Sequence, residues 1–395
     1  MKRIGIYGGT FNPPHVGHIQ AAQQAVTALG LDQLLVIPDH VAPHKTMPDN
    51  TPTGQQRLEM LRLATRDCPK LQVSQLELER QGVSYTCETV LELKRHYPGD
   101  RLVLLMGSDM FLSFQSWKQP ESILENAEIA VFYRGDPEEI ARVEGEKAAL
   151  EAAGATVTLV KNEIVPISST QLRRMLAFGC ADSFLPEGVG AYIRENRLYD
   201  TGENWKNLPM ERLEPIVTGL LKPNRVAHVL GCRDTAVELA KHWGADVTDA
   251  ARAGLLHDIT KALDGPLQLT LCAAYGKILD DFSRNYPKTL HALTGSLVAQ
   301  RIFGEREEVA RAIRWHTTGR ADMTLLEKII YIADYMEPNR DFPGVDRLRQ
   351  LAFSDLDAAL ELGLEMTMAH VESQGSAVSP ESAQALRWLK NTRKG

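Results

Sequence analysis

The sequence predicts two folds in series: an α/β half with a parallel sheet and helices on both faces, followed by an all-α half. Three observations carry this. The chain has 395 residues, more than the roughly 100 to 200 of one domain, so two hydrophobic cores are expected. Up to about residue 200, short β-branched or aliphatic runs alternate with helix-period stretches, the pattern of βαβ units. From Leu208 to Trp388 the apolar residues recur at helical spacing, and no run reads as a strand.

In chain order, strands are expected at 3–7, 33–37, 71–73, 101–106, 128–133 and 156–160, each a short run rich in Val, Ile and Leu. Helices are expected between them at 18–29, 53–67, 86–97, 137–153 and 170–178. Residues 200–209, Asp-Thr-Gly-Glu-Asn-Trp-Lys-Asn-Leu-Pro, form a short polar stretch with Gly and Pro, as expected of a linker between independent cores. The boundary is set near residue 204, giving domains 1–203 and 204–395.

Hydrophobic residues make up 44% and charged residues 24% of the chain, the balance of a folded globular protein. The longest unbroken apolar runs are five residues, such as 102–106 and 329–333. A bilayer-spanning helix needs ~20, so no membrane partner is expected. Met1-Lys2-Arg3 leads straight into a strand and glycines, without the apolar stretch and cleavage site of a signal peptide, so the expected location is the cytoplasm. Five widely spread cysteines without a Cys-x-x-Cys pair fit a reducing compartment. A formal charge of -7 argues against nucleic acid as a partner, since that affinity draws on clustered Lys and Arg. Phosphate recognition, where present, is local.

The first strand ends in Gly8-Gly9-Thr10-Phe11-Asn12-Pro13-Pro14-His15-Val16-Gly17-His18, directly before a helix. Two glycines let the backbone come close to a ligand, and a helix N-terminus presents unpaired N–H donors to an anion. His15 and His18, three apart at a helix start, face one side, and the string reads as a phosphate clamp. A second string, Ile167-Ser168-Ser169-Thr170-Gln171-Leu172-Arg173, puts three hydroxyls at a helix start and projects Arg173 one turn in. N-capping accounts for one hydroxyl, not for three in succession with an arginine. Two helix N-termini are therefore expected around one polyphosphate.

Gly-Gly-Thr-Phe-x-Pro-x-His-x-Gly-His with a later Ile-Ser-Ser-Thr-x-x-Arg resembles the nucleotidyltransferase superfamily and, within it, the bacterial nicotinate-mononucleotide adenylyltransferases. The resemblance covers residues 1–199, because Ala-Tyr-Ile-Arg-Glu-Asn-Arg-Leu-Tyr at 191–199 is similar to the end of that family's chain. Asn12 stands where the family usually has Asp, a departure expected to have little effect. The resemblance implies a Rossmann-like nucleotidyltransferase domain that transfers AMP from ATP to nicotinate mononucleotide, giving the deamido dinucleotide and pyrophosphate, with Mg²⁺ on the leaving group. A phosphate nucleophile is already anionic, so catalysis needs positioning and charge stabilisation rather than a general base. His15, His18 and Arg173 suit that role, and Gly8, Gly9, Thr10, Phe11, Ile167, Ser168, Ser169 and Thr170 become ATP and phosphate contacts, with Lys45 a further candidate. By the same resemblance Thr86, Gly107, Ser108, Asp109, Trp117 and Arg134 face the pyridine substrate, Trp117 as a stacking ring. A cytidylyl- or pantetheine-phosphate-type transferase stays open as the alternative.

In the helical half the candidate ligands are His228, the adjacent pair His257-Asp258, His291, His316 and Asp334, all flanked by apolar helix residues. One histidine on an apolar face is ordinarily a hydrogen-bonded core residue. Six such groups on five helical segments supply one another's partners, and nitrogen and oxygen donors without sulfur suit Fe, Mn or Co, with Zn open. The His-Asp pair resembles the HD-domain phosphohydrolases, and within them the small branch that hydrolyses diadenosine tetraphosphate symmetrically to two ADP. That match covers roughly 205–390 and implies an all-α HD-type domain. It also implies that His228, His257, Asp258 and Asp334 hold the metal, while His291 and His316 bind a second metal or the phosphates. Arg225, Lys261 and Arg340 then balance polyphosphate charge. Action on another nucleotide, or a purely regulatory nucleotide-binding role, stays open for this half, and so does a homo-oligomer.

Overall fold

Strands that read as unbroken Val, Ile and Leu must be covered on both faces, and the N-terminal unit, Met1–Gly202, meets this with a six-stranded sheet. The computed structural model describes residues 1–395 apart from 44–46, 49, 134–135, 162–164, 166 and 394–395. Strands β1 (Arg3–Gly9), β2 (Gln33–Pro38), β3 (Leu71–Val73), β4 (Arg101–Gly107), β5 (Ala127–Tyr133) and β6 (Val157–Lys161) lie in the order β3-β2-β1-β4-β5-β6. Every pairing is parallel. Alternate side chains feed two cores: Ile4, Ile6, Leu35, Leu102 and Leu104 pack on one face, and Leu34, Val36, Val103 and Leu105 on the other.

The strand order reverses between β1 and β4. In open parallel sheets that reversal leaves a crevice beyond the carboxyl ends of the strands, which is where ligands bind. Tyr7 pairs with Leu105, so Gly8-Gly9 and Gly107 stand at the same end, beside that crevice. β1 runs two residues past the expected strand because pairing with β2 continues to Gly9 opposite Pro38. The next helix, Val16–Ala28, begins two residues before the expected start, which makes His15 its N-cap. The short helices Leu76–Arg80, Ser108–Leu112 and Pro120–Asn126 went unexpected; at five to seven residues they show too little periodicity to be seen.

The second unit, Glu203–Gly395, has only helices as regular elements among its described residues. Its central helices are Val226–Trp243, Val247–Leu256, Leu290–Arg301, Glu307–Trp315 and Leu325–Met336. Their starts and ends are fixed by local chemistry: Asp246 accepts from the Asp249 N–H, and Thr324 with Glu327 forms a reciprocal capping box. Val229, Cys232, Ala236, Ala250 and Ala253 are fully buried where the first two helices pack. Small residues let them approach closely; a Cβ on Gly254 would lie 2.8 Å from the Arg233 Cα. That contact sets His257, three residues on, against the facing helix. No helix among the described residues is long and apolar enough to cross a membrane.

Candidate functional site

The loop after β1 is held from outside by side chains that donate to its carbonyls. Buried Arg57 donates through Nη1 to the Thr10 carbonyl at 2.7 Å and to Asp39 Oδ1 at 3.1 Å, and through Nη2 to the Asp39 carbonyl at 2.7 Å. Thr10 Oγ1 donates to the other Asp39 oxygen at 2.8 Å. From the second string, Arg173 Nη1 donates to the Asn12 carbonyl at 2.7 Å and Ser169 Oγ to the Pro13 carbonyl at 3.0 Å. The two helix starts are thus bound to each other, 156 residues apart in sequence for the Ser169–Pro13 bond.

Ser168 is the N-cap of the helix Ser169–Ala177 and forms a capping box with Gln171, Ile167 leads into that cap, and Thr170 Oγ1 accepts from Arg173 Nη2. Asn12 is buried; its Oδ1 accepts from the Tyr199 hydroxyl at 2.7 Å and its Nδ2 donates to Thr51 Oγ1 at 3.3 Å. His15 and His18 stack with ring centroids 3.5 Å apart, and the Phe11 ring lies 5.1 Å from that of His18. The His15 N–H donates to His18 Nδ1 at 3.1 Å, which leaves the proton of His18 on Nε2. His15 Nδ1 is buried without a hydrogen-bond partner among the described residues, and burial lowers its pKa to about 4. The first turn of the helix carries no acidic residue to compete for its N–H donors. Gly8 and Gly9 border this site, and Lys45 lies outside the described residues.

Gly107 caps the helix Ser108–Leu112, so Ser108 and Asp109 form its first turn; Ser108 Oγ donates to Glu139. Thr86 opens the helix Thr86–His96. Half-buried Trp117 packs on Phe114 at 5.5 Å, and its neighbour Lys118 sits 3.9 Å over the Tyr85 ring, tying the Trp117 and Thr86 segments together. Arg134 lies outside the described residues.

In the helical unit the six candidate ligands converge from five segments. Three imidazoles hydrogen-bond through Nδ1 to the carbonyl three residues back: His257 to Gly254 at 2.7 Å, His291 to Lys288 at 2.8 Å and His316 to Ile313 at 2.7 Å. Their protons therefore sit on Nδ1, and their Nε2 lone pairs point into the cluster. Burial lowers the pKa of His257 and His291 well below the ordinary value and that of His316 to about 4, so all three are neutral near pH 7. His228 Nε2 lies 3.2 Å from His257 Nε2 and 3.1 Å from Asp334 Oδ1. Burial alone would raise the Asp334 carboxyl, but its imidazole neighbours and the Arg340 guanidinium hold it well below its usual range.

Asp258 spans the cluster. Its Oδ2 faces His257 Nε2 at 3.6 Å and His228 Nε2 at 3.8 Å, and its Oδ1 faces His291 Nε2 at 3.5 Å and His316 Nε2 at 3.8 Å. Arg225 pairs with Asp258 Oδ2, and Arg340 with Asp334 Oδ1 at 2.7 Å. Lys261 Nζ is 2.8 Å from His291 Nε2. Thr317, which sequence reasoning passed over, donates between His316 Nε2 at 3.0 Å and His291 Nε2 at 3.1 Å. It adjoins His316 in sequence, the one signal that could have found it.

A cytidylyltransferase-like family model matches residues 6–175 and an HD domain model residues 225–339. A probable nicotinate-nucleotide adenylyltransferase of Borreliella burgdorferi is 34% identical over 50% of this chain and 96% of its own. One from Geobacter metallireducens is 38% identical over 50% of this chain and 98% of its own. A symmetrical bis(5'-nucleosyl)-tetraphosphatase of Bacillus subtilis is 39% identical over 43% of this chain and 91% of its own. The chain belongs to the nicotinate-nucleotide adenylyltransferase family in its N-terminal half and to the symmetrical HD-type tetraphosphatase family in its C-terminal half. Both are families of enzymes, and this nucleotidyltransferase–HD chain is one.

An HD domain calls for a divalent metal, and the donor set fits one. His228 Nε2, His257 Nε2 and Asp334 Oδ1 are acceptors crowded within 3.1 to 3.8 Å of one another. Lone pairs facing at that range repel unless a cation lies among them. Two ligands each about 2.1 Å from an ion stand roughly 3.0 to 3.4 Å apart, which is the spacing of His228 to its two neighbours. A second possible group joins His257, Asp258 and His316. The two groups share the His257 nitrogen, and the oxygens of Asp258 face imidazoles of both.

Proposed function

We propose that the protein is bifunctional in NAD biosynthesis and nucleotide turnover: residues 1–203 transfer AMP from ATP to nicotinate mononucleotide, and residues 204–395 hydrolyse diadenosine tetraphosphate to two ADP. The observation supporting the first activity is the pair of helix starts joined at the strand-order reversal, through Arg173 to Asn12 and Ser169 to Pro13. A phosphate oxygen of nicotinate mononucleotide attacks the α-phosphorus of ATP, the bond to the β-phosphate oxygen breaks, and pyrophosphate leaves. His18 donates from Nε2 to the charge that builds on the phosphoryl oxygens, and the N–H groups of the helix Val16–Ala28 add to it. Arg173 acts through the loop it holds as well as through its charge. Bound Mg²⁺ supplies charge neutralisation on the leaving pyrophosphate. Gly107, Ser108, Asp109, Thr86 and Trp117 form the pyridine side, with Trp117 as the stacking ring.

For the second activity the supporting observation is the inward set of fixed imidazole Nε2 atoms around Asp258. His228, His257, Asp258 and Asp334 would hold Fe, Mn or Co, which when bound polarises a phosphoryl group and lowers the pKa of water. Arg225 and Arg340, now paired with Asp258 and Asp334, exchange those carboxylates for phosphate oxygens, and Lys261 adds a third positive charge beside His291. The test uses the full chain. With ATP, nicotinate mononucleotide and Mg²⁺ it should form the deamido dinucleotide; with diadenosine tetraphosphate and Mn²⁺ it should yield two ADP. Turnover of pantetheine phosphate in place of nicotinate mononucleotide, or ATP plus AMP as the hydrolysis products, would overturn the respective half.

A further inference from the structure

Glu337 ends the helix Leu325–Met336, three residues beyond Asp334, and its side chain is buried at 1% exposure without being one of the assigned ligands. Burying a carboxylate is costly unless every oxygen is engaged. Here both are. Oε1 accepts from His228 Nδ1 at 3.1 Å, and Oε2 accepts from the backbone N–H of Asn339 at 2.7 Å and from its side-chain amide at 2.8 Å. His228 thereby differs from the other three imidazoles, whose Nδ1 protons go to neutral carbonyls.

A second observation points the same way. Gly231 lies one turn along the helix from His228, and a Cβ there would stand 2.5 Å from Glu337 Oε2 and 3.2 Å from Asn339 Nδ2. Mid-helix, alanine is favoured over glycine by helix propensity. The helix Val226–Trp243 thus has a residue without a side chain at the point where the carboxylate approaches it.

We infer that Glu337 is a positioning residue that fixes the His228 proton on Nδ1, aims Nε2 at the metal and makes His228 the strongest nitrogen donor of the cluster. A carboxylate behind an imidazole raises its basicity more than a carbonyl does, and such partners commonly matter 10- to 100-fold in metal affinity. The inference rests on the reading that this cluster holds a metal. It follows that Glu337 acts on the metal through His228, and that Gly231 acts through Glu337.

The test titrates the full chain with Co²⁺ and follows the visible absorption of the bound ion. Wild type should give a saturable band; Glu337→Gln should weaken Co²⁺ affinity about 10- to 100-fold and shift the band, with far-ultraviolet circular dichroism unchanged. Gly231→Ala, which helix propensity favours, should weaken it in the same direction and carries the test if the glutamate variant does not fold. Wild-type affinity and an unshifted band in a folded Glu337→Gln or Gly231→Ala protein would overturn the inference alone. No saturable band in wild type would overturn the metal reading, and this inference with it.

Discussion

The loop of the N-terminal unit and the cluster of the helical unit are held in opposite senses. In the loop, side chains from elsewhere donate to main-chain carbonyls: Arg57 to Thr10, Arg173 to Asn12, Ser169 to Pro13. With those carbonyls engaged, what the loop and the following helix start have left to offer is N–H groups, donors suited to an anion. In the cluster, main-chain carbonyls engage the side chains: Gly254, Lys288 and Ile313 take the Nδ1 protons of His257, His291 and His316. What remains is a surface of acceptors suited to a cation. The hydrogen-bond partner that is already taken decides which charge a site can receive.

Removing the link in the acceptor site has the largest expected effect. Asp258→Ala should lose bound metal and lower diadenosine tetraphosphate hydrolysis by at least about 10³-fold, because Lewis-acid stabilisation supplies several kcal/mol and each 1.4 kcal/mol is tenfold. Adenylyl transfer should stay at the wild-type level in the same preparation. Metal analysis and both assays on one protein sample check this, and full hydrolysis with metal retained would remove Asp258 from the site. The counterpart in the donor site is His18→Ala, for which adenylyl transfer should fall roughly 10²- to 10³-fold, the usual loss of one oxyanion donor. Hydrolysis should be untouched; a folded variant that loses both activities would break the view that the two surfaces work independently.

The loop depends on its holders as much as on its donors. Arg57→Met leaves the Asp39 carboxylate and the Thr10 carbonyl without their buried partner, and breaking a buried pair from one side costs about 3–5 kcal/mol. The unfolding transition of the N-terminal unit should shift down accordingly in urea, while that of the helical unit stays put. A loss under about 1 kcal/mol would show that the loop keeps its shape without Arg57.

How far each site could be read from sequence follows the same division. The donor loop is contiguous, because a helix start and its preceding turn are local structures, and so Gly8 to His18 and Ile167 to Arg173 announced themselves as strings. The α/β and all-α halves were legible for a similar reason, since strand and helix periods are local. Arg57 was not legible, although it touches that loop: it sits 47 residues from Thr10 in an ordinary amphipathic helix, and nothing in its neighbours marks it. Apart from the adjacent His257-Asp258 pair, the ligand residues were visible only as a count of unexplained polar residues on apolar faces. Glu337 had one faint mark, its spacing of three from Asp334, and nothing in its own neighbours sets it apart from any other glutamate at the end of a helix.

A pH experiment sharpens the comparison in the donor site. Burial takes His15 from 6.5 to about 4. Its folded-state value lies below its unfolded one, so between about pH 6.5 and 4 the unfolded chain binds the extra proton. Stability of the N-terminal unit is therefore unaffected above that window, falls as pH drops through it, and levels off below about 4. The full difference is about 3 kcal/mol. Hydrogen exchange of peptides from 1–202, compared between wild type and His15→Gln, should show this slope in wild type and a flatter one in the variant. Equal slopes would mean that His15 reaches solvent more readily than its burial indicates.

The smallest effect is expected from Asn12→Asp, which installs the residue the family usually carries. Asn12 is buried, yet both of its side-chain bonds survive the change: the Tyr199 hydroxyl still donates to Oδ1, and the Thr51 hydroxyl can donate where it now accepts. The added charge has a partner at hand, because Arg173 already donates to the Asn12 carbonyl. Burial cost and pairing should nearly offset, leaving a net change within about 1 kcal/mol, the worth of one hydrogen bond. Adenylyl transfer should then stay within about fivefold of wild type in kcat/KM. A loss of a hundredfold would show that Arg173 had been drawn from the phosphate to the new carboxylate, which would place its charge, rather than its hold on the loop, at the centre of the donor site.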